Sequence, residues 1–167
     1  NRILKNFLAA RDARSPLFLM VWNNIRHDAH ISRNLEELTN ILKEQGVYDD
    51  SVVIFCADHG YPHPRRGFTP EHLKREGLTH DLMLSDDNML IPLLIKTPDC
   101  KPASVKAQVG TIDLFPTVLD YAGAAAPGTS RQDGATLRPV LQGENGAAKA
   151  FDRRPVRCDC RFFGQSQ

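Results

Sequence analysis

Apolar runs and amphipathic stretches take turns along the chain, and their periods predict strands and helices in alternation. Residues 17–22 and 51–57 are short and almost wholly apolar, the pattern of strands buried on both faces of a parallel sheet. Between them Ile31, Leu35, Leu38, Ile41 and Leu42 form one stripe at helical spacing. This predicts a helix over 32–45, capped by Ser32 and stopped by Gly46. Strand, helix and strand then make one βαβ unit, right-handed and with parallel strands. Upstream, Ile3, Leu4, Phe7 and Leu8 have helical spacing, and Ser15-Pro16 ends that helix.

Residues 91–96 read as a third apolar strand, with Pro92 tolerated at its start. Residues 108–123 predict a short strand edge and a helix, with Asp113 as cap, Pro116 in the first turn and Gly123 as stop. Leu114, Val118, Leu119 and Ala122 are its buried stripe. The segment from Asp133 leads through Leu137 into a short helix ending near Gly143. Residues 143–149 read as flexible, and 154–163 alternate as a half-exposed strand does. A long insertion, 61–88, starts with the breakers Pro62, Pro64 and Gly67. It contains one short helix from Pro70, capped by Thr69, and carries His63, His72 and His80. Loops this long are usually functional. The fold class is α/β, a mainly parallel sheet flanked by helices. Residues 1–143 form the α/β domain, and 144–167 a linker and the first strand of a small second subdomain.

Composition changes this picture little. The 167 residues suit one domain, with 41% hydrophobic and 25% charged content as in ordinary soluble proteins. A net charge of +1 gives no argument for nucleic acid, and no apolar run reaches the roughly 20 residues that span a bilayer. Cys56 is expected to pack inside its strand. Cys158 and Cys160 are too close for an ordinary bridge within one strand, Cys100 is in a loop, and no C-x-x-C zinc pair is present.

The candidate chemistry lies where strands end. The run 51–57 stops at Asp58, His59 and Gly60, and sites in open α/β sheets lie beyond the carboxyl ends of strands. A carboxylate beside an imidazole offers a divalent cation one hard oxygen and one nitrogen, and Gly60 permits a sharp turn after them. The same pair reads equally as a turn-capping Asp and a surface His. The run 17–22 likewise leads into a polar segment with His27, Asp28 and His30. Three functions compete: a phosphoacceptor Asp58, a non-catalytic interaction domain, and metal-dependent hydrolysis of an oxyanion ester. The first needs a paired acidic cluster after an early strand, which is missing. The third lacks a visible nucleophile, since Gly-x-Ser-x-Gly is absent.

The order of parts resembles the sulfatases and, more broadly, the alkaline phosphatase superfamily. The resemblance runs through His27-Asp28, the amphipathic helix, 46–50, Asp58-His59-Gly60, Ile91-Pro92, 113–117 and Asp133-Gly134 with Leu137 and Leu141, to Val156-Arg157. It implies an alkaline-phosphatase-like fold and hydrolysis of a small-molecule or glycan sulfate ester, or of a phosphate ester. It implies Asp58 and His59 as ligands of a divalent cation, Ca2+ first, with Mn2+ or Zn2+ as alternatives. It gives His27 and His80 to the substrate anion. The family's other acidic ligands and its nucleophile, within Cys-x-Pro/Ser-x-Arg or a Ser or Thr, belong to an upstream segment that these residues do not include. The chain is therefore expected to be the carboxyl-terminal part of such an enzyme, inactive alone.

Overall fold

Helical periodicity builds the first of two compact units, Asn1–Val53, and the second is Ile54–Gln167. The computed structural model describes residues 2–22, 28–61, 69–75, 84–126, 128, 132–156 and 158. In the first unit, α1 (Arg2–Ala10) buries Leu8, and α2 (Asp28–Glu44) buries Ile41 with Leu35 and Leu38 half-buried on the same stripe. The helix starts a turn before the expected cap, so Ser32 lies inside it and is exposed. Its end is as expected. Gly46 turns left-handed at φ 65, its N–H donates to Lys43 O at 3.0 Å, and Val47 N–H donates to Leu42 O at 3.0 Å. These paired bonds satisfy the last carbonyls of the helix. Lys5 Nζ meets Glu44 Oε2 at 2.6 Å, but both side chains are more than half exposed, so the pair is worth at most about 1 kcal/mol.

Residues 17–22 are a correction. They form no strand, and all six side chains are exposed, Phe18 at 77% and Trp22 at 69%. A strand exists only through ladder hydrogen bonds to a neighbour, and among the described residues none pairs with this run. The expected parallel βαβ unit is therefore not formed.

Among the described residues β1 (Val53–Cys56) and β2 (Leu93–Lys96) make a two-stranded antiparallel sheet, not the mainly parallel one expected. Just past β1, Gly60 N–H donates to Asn88 O and Tyr61 N–H to Asp87 O, so one segment recedes as the other advances. The strands are partly rather than fully buried, and Cys56 is exposed instead of packed. In α3 (Pro70–Arg75) the local chemistry is as expected: Thr69 Oγ1 accepts His72 N–H at 3.1 Å, with Pro70 at the first helical position. Such a cap contributes about 1 kcal/mol. Next comes α4 (Asp86–Met89), a single turn.

A 3-10 turn (Thr111–Asp113) leads into α5 (Leu114–Tyr121), followed by α6 (Arg138–Leu141) and α7 (Ala147–Asp152). Leu137, Val140 and Phe151 are the buried core, with Leu93, Ile95, Leu114 and Leu141 packed against it. Where a flexible link is expected after Gly143, the chain forms α7 and buries Phe151, because an apolar ring of that size gains about 2 kcal/mol or more by leaving water. The strand expected over 154–163 lies mostly outside the described residues, and 154–156 are not in a strand.

Asp113 is placed differently from expectation. Its carboxylate does not cap α5. It is fully buried and accepts Gly110 N–H at 2.9 Å, Ala135 N–H at 2.9 Å, and Arg154 Nη2 at 2.8 and 2.7 Å. Thr117 Oγ1 donates to Asp113 O at 2.6 Å and accepts Leu137 N–H at 2.8 Å. These bonds fasten the 133–137 segment to the start of α5. Gly134 makes the contact possible, since a Cβ there would stand 2.1 Å from Ile112 O.

Candidate metal site

The site is built at the end of β1. Val53, Ile54 and Phe55 are half-buried and hold the strand, while Asp58 and His59 beyond it are exposed. Apolar residues thus fix the backbone, and the polar pair is left at the surface. His59 Nε2 lies 3.6 Å from Asp58 Oδ2, with side chains 41% and 50% exposed. His59 Nδ1 lies 2.6 Å from Gly60 O. A carbonyl oxygen only accepts, so Nδ1 carries the hydrogen and Nε2 carries the lone pair in the neutral ring. Two electron-pair donors, an imidazole nitrogen and a carboxylate oxygen, therefore converge. Neighbouring ligands of one cation stand about 3 to 3.5 Å apart for bonds of about 2.0 to 2.4 Å. The pair fits a divalent cation by donor type, and its 3.6 Å separation is just beyond that spacing. Among the described residues, no group of three His, Cys, Asp or Glu is placed to hold a metal. Two donors alone are too few for a whole coordination sphere.

The turn that carries the pair is fastened by α4. Gly60 N–H donates to Asn88 O at 2.8 Å and Tyr61 N–H to Asp87 O at 3.0 Å. A Cβ on Gly60 would stand 1.9 Å from Asp87 O, and the φ of Gly60 is not left-handed. Gly60 is needed here for close approach, not for the sharp turn expected from the sequence. Asn88 is 6% exposed. Sequence reasoning missed the part played by 87–88; the one signal for it is the glycine that lets them approach.

The other candidates are less well placed to be read. His27, His63 and His80 lie outside the described residues. His30 is exposed on the first turn of α2. His72 sits on α3, its Nδ1 3.1 Å from Arg75 Nη2, as a helix-surface histidine would.

Comparison with known proteins adds the following. Residues 26–124 match the family model described as Sulfatase. The N-acetylglucosamine-6-O-sulfatase of Bacteroides thetaiotaomicron is 29% identical over 116 residues, which are 68% of this chain and 19% of that protein. A solved phosphonate monoester hydrolase from Silicibacter pomeroyi superposes with a TM-score of 0.51 at 36% identity, over 70% of this chain and 20% of the other. A protein solved in complex with its substrate D-glucosamine-2-N,6-O-disulfate superposes with a TM-score of 0.52 at 27% identity, over 70% of this chain and 22% of the other. The chain thus spans about a fifth of the length of these relatives. Their fold is the alkaline-phosphatase-like one.

Proposed function

The chain belongs to the sulfatase family, and from that premise we propose that it is part of a metal-dependent sulfuric ester hydrolase. The observation that carries this is the convergence of Asp58 Oδ2 and His59 Nε2 at 3.6 Å beyond the end of β1. Residues 1–143 are assigned to the catalytic domain. Asp58 and His59 hold a divalent cation, Ca2+ first by the family resemblance and Mn2+ or Zn2+ as alternatives, since the carboxylate oxygen suits a hard ion and the imidazole nitrogen a softer one. When bound, that ion stabilises negative charge on the group being transferred. Asp58 supplies a formal negative charge and His59 a neutral nitrogen. His27 and His80 contact the substrate anion or donate a proton to the leaving oxygen. The 167 residues contain no Cys-x-Pro/Ser-x-Arg nucleophile segment, so chemistry needs residues beyond them.

The substrate class proposed is a sulfated amino sugar. Support comes from the names of the relatives, an N-acetylglucosamine-6-O-sulfatase and a protein bound to a glucosamine disulfate. A second reading, hydrolysis of a phosphonate or phosphate ester, is favoured by the 36% identity to a phosphonate monoester hydrolase. Both anions are tetrahedral and take the same cation, so the metal pair alone does not separate them. The test is turnover by the full-length protein of N-acetylglucosamine 6-sulfate against an aryl phosphonate monoester. A higher kcat/KM for the sulfate supports the first reading; a higher value for the phosphonate replaces it with the second.

A further inference from the structure

The Gly60 peptide makes three contacts that together bear on the metal pair. Its carbonyl oxygen lies 2.6 Å from His59 Nδ1. Its N–H donates to Asn88 O at 2.8 Å, and the next N–H, of Tyr61, donates to Asp87 O at 3.0 Å. The peptide is held on both sides by the backbone of α4, so its carbonyl has one direction. The approach is as close as a glycine allows, since a Cβ would stand 1.9 Å from Asp87 O and 2.8 Å from its carbonyl carbon. These are backbone atoms and cannot swing aside as a flexible side chain does.

We propose that Gly60 is a positioning residue for the cation site: docked on α4, its carbonyl holds His59 Nδ1–H and so commits Nε2 as the ligand atom facing Asp58. This deepens the metal-site reading and rests on it. The physical logic is that of an outer hydrogen bond that fixes which imidazole nitrogen is the donor and where its lone pair points. Weakening it lets the other tautomer compete, and the binding-competent arrangement becomes a smaller fraction of the population. In Gly60→Ala the added methyl displaces the Asp87 carbonyl or rotates the peptide, and either motion breaks the line from α4 to Nδ1.

The test uses the full-length protein, freed of metal and labelled with 15N-histidine, with the His59 signals identified by their loss in His59→Gln. The proton is expected on Nδ1 of His59 in the cation-free protein. Gly60→Ala is expected to lose that preference and to bind Mn2+ about 10- to 100-fold more weakly, read from the EPR signal of the free ion. Asp58→Ala is run beside it. A proton on Nε2 in the unaltered protein overturns the inference, whether or not Gly60→Ala folds. So does a Gly60→Ala protein that keeps both the tautomer and the Mn2+ affinity while Asp58→Ala loses the ion; the metal site then stands and only the role of Gly60 falls. If Asp58→Ala also keeps Mn2+, the site and the inference fall together.

Discussion

The guanidinium of Arg154 closes on the carboxylate of Asp113, one nitrogen lying 2.8 and 2.7 Å from the two oxygens across 41 residues of sequence. The carboxylate is fully buried, and the Arg154 side chain is 28% exposed and stacks over Phe151 at 4.2 Å. A buried charge left without its partners is costly, so Asp113→Ala, which strands Arg154 and two backbone N–H groups, should lose about 3 to 5 kcal/mol of stability. Arg154→Ala should lose less, about 1 to 3 kcal/mol, because Gly110 and Ala135 still donate to the carboxylate. Urea unfolding of both variants checks the order.

Gly134 gives a second stability test. A Cβ there meets Ile112 O at 2.1 Å, whereas a Cβ on Gly110 meets only Ile112 Cγ2 at 3.6 Å. Gly134→Ala should therefore destabilise by about 1 to 3 kcal/mol, as overpacking does, and Gly110→Ala should stay within about 0.5 kcal/mol of the unaltered protein. Thermal melting separates the two.

Acid should loosen the helical half of the second unit. The Thr136 hydroxyl at 2.7 Å, and then Arg138 at 3.1 Å, hold the Asp120 carboxyl below its ordinary pKa of 3.8. Asp99 is lowered likewise, first by the Thr97 hydroxyl at 2.8 Å and then by Gln142 at 2.6 Å. A carboxyl with a depressed folded pKa binds its proton less readily folded than unfolded. Its contribution is thus complete above the ordinary value and is lost as pH falls through the folded pKa. The stability gap between the unaltered protein and Asp120→Asn should be widest near neutral pH and narrow below 3.8. Urea midpoints at about pH 6 and about pH 3 measure it.

What was legible in the sequence was local. The stripe from Ile31 to Leu42, the Gly46 stop and the Thr69-Pro70 helix start all rest on neighbours within a turn, and each is found where it was expected. The nearest neighbours of Asp113 suggest a helix cap. Besides the local Gly110 N–H, its partners are Ala135 and Arg154, 22 and 41 residues away, and no local pattern shows those two. The run 17–22 has the composition of a strand, but pairing is a property of two segments, and composition shows only one. At the candidate site, the adjacency of Asp58 and His59 beyond β1 was legible from their place after an apolar run. The approach of Asp87 to Gly60 was not, because a glycine that spares φ and one that spares space look alike in sequence.

The 167-residue chain by itself should turn over no aryl sulfate, with or without added divalent cation. No Cys-x-Pro/Ser-x-Arg segment is among its residues, and among the described residues no group of three metal-ligating side chains is assembled. Metal-dependent turnover by the pure chain would show that the nucleophile lies within these residues.

The metal content of Asp58→Ala tests the central claim most directly. In the full-length protein, removing this carboxylate takes away an oxygen ligand and a negative charge together, and loss of the cation then leaves the remaining carboxylate ligands repelling one another uncompensated. The half-buried β1 residues that hold the strand are untouched, so the fold should persist. Elemental analysis should find the bound cation lost and activity lower by orders of magnitude. His59→Ala should act in the same direction but more mildly, and His72→Ala, on the surface of α3, should keep both metal and activity. Full metal in Asp58→Ala together with loss in His72→Ala would contradict the account and move the site to the 61–88 insertion.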